Sequence, residues 1–143
     1  MIHEQLLRDC HVLGRFECCA VLLNRNAAIP WFILVPDTSL EDLLDLEPDT
    51  LATVTGECQR ISRFLKQERG YAKLNFAGLG NVVPQMHLHV IARADGDACW
   101  PKPVWGHLTE EQAYDPATLA EWQGRLVADY GLHPNADLEC SAD

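Results

Sequence analysis

The sequence predicts a single α+β domain built around an antiparallel sheet. Two observations lead to this prediction. Strand-length runs rich in apolar residues alternate with longer stretches whose apolar residues recur at helical spacing. In addition, one strand-length run ends in the polar turn Asn24-Arg25-Asn26, and a turn around Ala27-Ala28 leads into the next, which is typical of an antiparallel hairpin.

The first part of the chain predicts a helix and then this hairpin. Apolar residues recur at helical spacing over residues 2–13, and Gly14 is a natural helix stop. Residues 16–24 and 29–35 have the length and composition of strands. Neither run alternates cleanly between apolar and polar residues, which indicates that both faces of the sheet are covered.

The middle of the chain predicts a short helix and a long one. Thr38 and Ser39 supply capping oxygens ahead of two acidic residues, as at the start of a helix. Pro48 fits the first turn of the longer helix, and Gly70 ends it. The apolar stripe between them has spacings of three and four residues, which favours packing of one helix face on the sheet.

The last part of the chain predicts two strands and a helix. Residues 71–77 and 85–93 are the strands, joined by the loop Gly78-Leu79-Gly80-Asn81. Residues 94–107 are rich in Trp, Pro and Gly and predict no regular element. Asp115 and Pro116 open the final helix, which ends at Gly131. We expect one domain over residues 1–143, with a packed core over about 1–131 and a polar tail over 132–143.

Composition excludes several classes of partner. The chain has 143 residues, of which 48% are hydrophobic and 22% charged, as in a globular protein. The net charge of −10 disfavours binding to nucleic acid or to anionic membranes. No apolar run approaches the length needed to cross a membrane. The six cysteines form no CxxC pair, so we expect free thiols and a cytoplasmic location.

The candidate site centres on Gln85-Met86-His87-Leu88-His89. On a strand, Gln85, His87 and His89 would share one face, with the two histidines roughly 6.6 Å apart along the chain. One imidazole could attack while the other binds developing charge. A phosphorus centre suits this arrangement, because backbone N–H groups of the preceding glycine loop could bind its oxygens. The motif therefore predicts a histidine site that acts on a phosphate.

Plainer interpretations remain open for the same residues. A strand histidine is often a hydrogen-bonded structural residue. Zinc binding by His87 and His89 is another alternative, but the sequence places no third ligand. Gly78 and Gly80 could only shape a tight turn, and Asn24 could only form an Asx-turn.

Several ordered motifs resemble the histidine triad (HIT) family, and in particular its fragile-histidine-triad branch. The run from Asn75 to Ile91 is similar to the family signature, His-x-His-x-His followed by two apolar residues. The segments Leu22-Leu23-Asn24-Arg25-Asn26, Pro30-Trp31-Phe32-Ile33-Leu34-Val35-Pro36 and Leu46-Glu47-Pro48-Asp49 also match that branch. Trp100-Pro101 resembles a downstream segment of nucleotide-binding relatives.

The resemblance implies a HIT-like fold with about five antiparallel strands, and a homodimer. It implies an enzyme that cleaves at the α-phosphorus of nucleoside polyphosphates, such as diadenosine polyphosphates, or of phosphoramidates, without a cofactor or obligatory metal. A purine nucleotide or dinucleotide is the implied partner. The implied roles are nucleophile for His87 and phosphate contact for His89 and Gln85. Nucleotide contacts are implied for Leu22 (base), Asn24 (ribose), Asn75 (phosphate side), and Gly80 and Asn81 (loop donors).

The chain departs from the family pattern at four positions, one of which is Asn81, where a glutamine is usual. Gln85 stands where the first histidine belongs, which gives the variant Gln-x-His-x-His. Val82 replaces a hydroxyl residue near the leaving group, and Phe32 is assigned to a strand position that is histidine in the similar branch. Because general acid catalysis contributes ~10²–10⁴-fold, these changes predict slow turnover or, alternatively, a nucleotide-binding sensor with little turnover.

Overall fold

The structure is a computed structural model, and it describes residues 1–134. Five antiparallel strands form one sheet in the spatial order β1-β2-β3-β5-β4. The strands are β1 (Cys10–Arg15), β2 (Cys19–Asn24), β3 (Trp31–Pro36), β4 (Lys73–Gly78) and β5 (Leu88–Arg93). The helices are α1 (Glu4–Asp9), α2 (Pro48–Arg63) and α3 (Pro116–Tyr130). The predicted α+β fold with an antiparallel sheet is confirmed.

Both long helices begin and end where the sequence indicates. Pro48 and Pro116 occupy the first turns of α2 and α3. After Arg63, α2 continues as a π-helical turn over Phe64–Glu68. Gly131 ends α3 in the left-handed conformation, at φ 79°, which glycine adopts without strain.

The two faces of the sheet are packed differently. One face carries the main apolar core, which includes Val90 and in which the Phe32 ring contacts Phe64 of the π-helical turn after α2 and Trp122 of α3. The other face carries a smaller cluster against α1, which includes Leu6, Leu22 and Ile33. Because both faces are covered, the central strands lack clean alternation of apolar and polar residues, as predicted.

The prediction of one helix over residues 2–13 is wrong, since only Glu4–Asp9 is helical and Cys10–Arg15 forms β1. The backbone of residues 10–15 pairs with β2, and a bulge between Val12 and Gly14 interrupts the register. Residues Ile2, Leu6 and Cys10 nevertheless all pack in the smaller cluster, so a short helix followed by a strand reproduces helical spacing.

Gly14 does not stop a helix but permits a close approach of two backbones. A Cβ at this position would lie 2.3 Å from the carbonyl oxygen of His133. His133 also pairs with Arg15 through two backbone hydrogen bonds, and Leu132 is buried. The folded domain therefore continues through His133, and residues 135–143 of the expected tail lie outside the described residues.

Smaller differences concern element lengths. The helix expected after Thr38 is a 3₁₀ turn at Leu43–Asp45. The strand expected over 85–93 begins only at Leu88, so Gln85 precedes the sheet. Residues 94–107 form turns without a helix or strand, as predicted.

Candidate active site

Two histidines at the start of β5 form the centre of the candidate site. His89 lies within β5, and His87 lies one residue before the strand. Both side chains are buried, with 8% of His87 and 5% of His89 exposed. Their ring centroids are 5.0 Å apart with the rings nearly perpendicular, so the two imidazoles contact one another.

The hydrogen bond at His87 fixes which of its nitrogens is free. Nδ1 of His87 lies 2.7 Å from the carbonyl oxygen of Gln85. A carbonyl can only accept, so Nδ1 carries the proton and donates it. In the neutral imidazole the lone pair is then on Nε2, which forms no hydrogen bond with the residues that the structure describes. Such a nitrogen can act as a nucleophile.

The hydrogen bond at His89 fixes the opposite tautomer. The indole Nε1–H of Trp31 donates to Nδ1 of His89 over 2.9 Å. Indole is only a donor, so Nδ1 of His89 must accept, and the proton of the neutral ring is on Nε2. Burial, and then the neighbouring His87, lower the pKa of His89 from 6.5 to about 4. His89 is therefore a neutral N–H donor at physiological pH.

Tryptophan rings account for the burial of His89. The ring centroids of Trp105 and His89 are 5.0 Å apart, and those of Trp31 and Trp105 are 5.6 Å apart, both in edge-to-face geometry. Trp105 belongs to the irregular segment 94–107. By excluding water, these rings disfavour the charged form of His89.

A cavity of about 270 Å³, which we call the aromatic cavity, opens beside the two histidines. Three of the predicted nucleotide-binding residues, Asn24, Gly80 and Asn81, line it together with His87 and His89. Its other lining residues are Gln5, Leu6, Asp9, Trp31, Ile33, Leu79, Val82, Val83 and Trp105. The sheet, α1 and the glycine loop therefore converge on one space next to the imidazoles.

The glycine loop offers backbone donors to this cavity. Gly80 has φ 69°, a conformation that side-chain-bearing residues adopt only with strain. The N–H groups of Gly80 and Asn81 donate to no other group within residues 1–134. They are thus available to an anion held beside the histidines.

Asn24 forms an Asx-turn and also lines the aromatic cavity. Its Oδ1 accepts from the backbone N–H of Asn26 at 2.9 Å, which is the Asx-turn geometry. Its Nδ2 has no hydrogen-bond partner among the described residues, and the side chain lines the aromatic cavity. The turn therefore orients the amide so that one donor remains free.

Three other predicted site residues are not brought into the cavity wall. Gln85 accepts from the backbone N–H of His3 at 2.7 Å and donates to the carbonyl of Met1 at 2.8 Å, so both ends of its amide bind the N-terminal segment. Leu22 is fully buried behind the wall, in one cluster with Leu6 and Ile33. Asn75 accepts from Nη1 of Arg93 at 2.9 Å.

Arg93 holds the end of β5 and the Trp105 segment together. Its guanidinium is almost wholly buried and makes a two-point ion pair with Asp97, at 2.8 and 3.1 Å. It also donates to the carbonyl of Lys102 at 2.8 Å, besides Asn75. Burial by itself raises the pKa of Asp97, but hydrogen bonds from Arg93 and from the backbone outweigh it and lower the pKa below its usual value, which keeps the pair charged.

The residue that sequence reasoning missed is Trp31. Phe32, which the sequence comparison placed at the histidine position of the strand, lies on the opposite face in the main core, and its ring stacks on Trp122. Trp31 lies on the histidine face, because β3 and β5 pair with Ile33 opposite His89. The sequence alone does not place Trp31 there, because the face on which it lies depends on the register of β3 against β5.

Two kinds of feature are absent from residues 1–134. No group of three or more His, Cys, Asp or Glu side chains is placed to hold a metal ion. No helix in this part of the chain is long and apolar enough to cross a membrane.

The chain is similar to a known protein family and to several solved structures. The family model of the HIT domain matches residues 6–96, which include both histidines and the glycine loop. A histidine triad protein from Bradyrhizobium japonicum is 38% identical with a TM-score of 0.82, over 89% of this chain and 95% of that one. One from Marinobacter aquaeolei is 37% identical (TM-score 0.80, 88% and 92% covered), and one from Sinorhizobium meliloti is 34% identical (0.82, 89% and 94%).

Proposed function

The chain belongs to the HIT domain family, and on that premise we propose that it is a nucleotide hydrolase or nucleotidyl transferase. The proposed reaction is cleavage at the α-phosphorus of a nucleoside polyphosphate, such as a diadenosine polyphosphate, or of a nucleoside phosphoramidate. One observation supports this most directly. Two imidazoles in contact have opposite tautomers, so that His87 presents a lone pair and His89 presents an N–H.

In the proposed reaction, Nε2 of His87 attacks the α-phosphorus, and the bond to the leaving group breaks with its electron pair on the leaving atom. Water then attacks the nucleotidyl-histidine, releases a mononucleotide and regenerates His87. The Nε2–H of His89 and the N–H groups of Gly80 and Asn81 donate to the phosphoryl oxygens, where negative charge develops. No step needs a cofactor.

The aromatic cavity is the proposed nucleoside site. The free Nδ2 of Asn24 suits a ribose hydroxyl, and the apolar wall of Ile33 and Trp31 suits a purine. Leu22 supports that wall from behind, and Asn75 acts through Arg93 instead of on the phosphate.

The geometry of Gln85 favours one second candidate, a nucleotide-binding sensor with little turnover. Both ends of the Gln85 amide are engaged by the N-terminal segment, and an amide is no proton source in any case. A substrate with a poor leaving group would then be bound and not cleaved.

The test is a panel of adenosine polyphosphates and phosphoramidates assayed with wild type and His87→Ala. We expect at least a ~10³-fold loss of turnover in the variant, because the nucleophile is gone. Acid quench of wild type during turnover should trap a nucleotidyl group that His87→Ala lacks. The matched control is His133→Ala, an exposed histidine that does not line the aromatic cavity, which should keep full activity.

Two outcomes decide between the candidates. Cleavage that survives His87→Ala contradicts the hydrolase proposal. Tight binding of adenosine nucleotides in calorimetry, with no cleavage of any compound by pure wild type, favours the sensor.

A cytoplasmic homodimer is the proposed form of the protein. The described cysteines are free thiols, as is usual in a reducing compartment. Strand β4 is an edge of the sheet, and Phe76 on it is 51% exposed. An edge strand with an exposed aromatic side chain is usually covered by another segment or by another chain. Pairing of two β4 edges would give one continuous sheet. Light scattering should give the mass of two chains, and the mass of one chain at micromolar concentration contradicts this form.

A further inference from the structure

The side chain of Gln85 attaches the segment that precedes α1 to the histidine motif. Its Oε1 accepts from the backbone N–H of His3 at 2.7 Å, and its Nε2 donates to the backbone carbonyl of Met1 at 2.8 Å. A backbone N–H only donates and a backbone carbonyl only accepts, so a flipped amide would lose both hydrogen bonds. The two partners therefore fix the orientation of the Gln85 amide.

This attachment reaches α1 directly, because His3 is the N-cap of that helix. Nδ1 of His3 accepts from the backbone N–H of Gln5, in the first turn, at 3.1 Å. Ile2 lies between the two anchored residues, is 9% exposed and packs in the same apolar cluster as Leu6. The N-terminal end of α1 is thus attached to the residue two positions before His87.

The other end of α1 is held independently of Gln85. The helix continues into β1 without a break. In addition, Nε of Arg25 donates to the carbonyl of Arg8 at 3.0 Å, and the backbone N–H of Arg25 donates to the carbonyl of Asp9 at 2.9 Å. Loss of the two Gln85 hydrogen bonds would therefore loosen the first turn of α1 without detaching the whole helix.

Helix α1 forms part of the wall of the aromatic cavity. Gln5, Leu6 and Asp9 line this cavity. Nε2 of Gln5 lies 3.1 Å from each carboxylate oxygen of Asp9, which holds these two side chains together on the wall. A shift at the N-terminal end of α1 would therefore change the shape of the proposed nucleoside site.

The backbone of Gln85 has a separate contact with the proposed nucleophile. Its carbonyl oxygen accepts from Nδ1 of His87 at 2.7 Å. Because the backbone stays in place when the side chain is replaced, mutation can separate the two contacts. Gln85 therefore links the nucleophile to one wall of the nucleoside site.

We propose that Gln85 is a positioning residue that sets nucleoside affinity through α1, and that its side chain takes no part in the cleavage step. The proposal rests on the nucleotide hydrolase function for its kinetic consequences. An amide suits this role, because it presents an acceptor and a donor side by side on one edge. The two nitrogens of a histidine ring point in divergent directions, so a histidine at this position could not form both hydrogen bonds.

The main experiment compares Gln85→Leu with wild type on the p-nitrophenyl ester of adenosine 5′-monophosphate, whose leaving group needs no proton donor. Leucine is similar in size and forms no hydrogen bond. We expect KM to rise roughly five- to tenfold, because the hydrogen bonds that hold the wall are lost, and kcat to stay within about twofold. Partial unfolding would instead reduce the amount of active enzyme, which lowers kcat and leaves KM unchanged.

Two further variants act as controls. Gln67→Leu makes the same replacement at an exposed position that does not line the aromatic cavity, and it should change neither constant. Gln85→His should raise KM as Gln85→Leu does, because the imidazole cannot replace both hydrogen bonds. A wild-type KM in Gln85→His contradicts the positioning role.

Calorimetric titration with adenosine 5′-monophosphate separates this inference from the function on which it rests, because it measures binding without turnover. The dissociation constant of Gln85→Leu should rise by the same factor as KM. An unchanged dissociation constant and KM, or a fall in kcat alone, overturns the positioning role and leaves the hydrolase function standing. If wild type does not cleave the ester and Gln85→Leu still binds the nucleotide more weakly, the hydrolase function fails and the positioning role stands.

Discussion

The surroundings of His87 and of His89 differ more than the two residues themselves. Both are buried histidines on one face of the sheet with their rings in contact. His87 donates to a backbone carbonyl, whereas His89 accepts from an indole and packs against two tryptophan rings. The partner at Nδ1 therefore decides which imidazole offers a lone pair and which offers a proton.

The largest effect should come from protonating the enclosed member of this pair. In the unfolded chain His89 gains a proton below pH 6.5. In the folded chain it gains this proton only near pH 4. The free energy of unfolding should therefore fall as pH drops from 6.5 to 4, by about 3 kcal/mol at most from this residue. Urea unfolding of wild type and His89→Asn across this range measures the contribution as a difference.

His107→Asn provides the control, because it removes an exposed histidine and leaves all other acid-sensitive groups in place. Its stability should follow the wild-type dependence on pH. If His89→Asn also loses stability in parallel with wild type, His89 is not held neutral by its surroundings, and the contrast between the two histidines disappears.

A smaller effect should follow when the indole donor alone is removed. Trp31→Phe leaves Nδ1 of His89 without a partner, so the fixed tautomer is lost and kcat/KM should fall roughly tenfold. Nitrogen-15 NMR of His89 should change from protonation at Nε2 to a mixture of both tautomers. Trp105→Phe makes the same change in ring size at the second tryptophan that contacts His89, and it removes no hydrogen bond to His89.

We expect Trp105→Phe to retain the Nε2–H tautomer and to lose less activity than Trp31→Phe. Equal losses in the two variants, with the His89 tautomer unchanged in both, would show that Trp31 acts only by packing.

The parts of the fold that could be predicted are those that depend on local pattern. Pro48, Pro116 and Gly131 mark helix ends through their own backbone preferences, and the hairpin of β2 and β3 follows from its turn. Strand β1 could not be predicted, because its pairing with β2 and the contact of Gly14 with His133 depend on distant residues.

The same limit applies to the site. Spacing alone placed His87 and His89 together and brought the glycine loop toward them. The hydrogen-bond partners of the predicted residues could not be predicted, because they depend on contacts between segments that are far apart in sequence. Gln85 binds the backbone of residues 1 and 3, and Trp31 reaches His89 only through the pairing of β3 with β5.

The Arg93 cluster has a consequence for how this family member could diversify. One side chain fixes the segment that carries Trp105 through Asp97 and the carbonyl of Lys102, and neither attachment involves the histidines. Insertions or exchanges in the segment beyond these anchor points would reshape one wall of the aromatic cavity while leaving the strand that carries the chemistry unchanged. The cavity wall that contacts the ligand and the histidines that carry out the reaction can therefore change separately in evolution. The wall segment is attached at Arg93, and the histidines lie at the other end of the same strand.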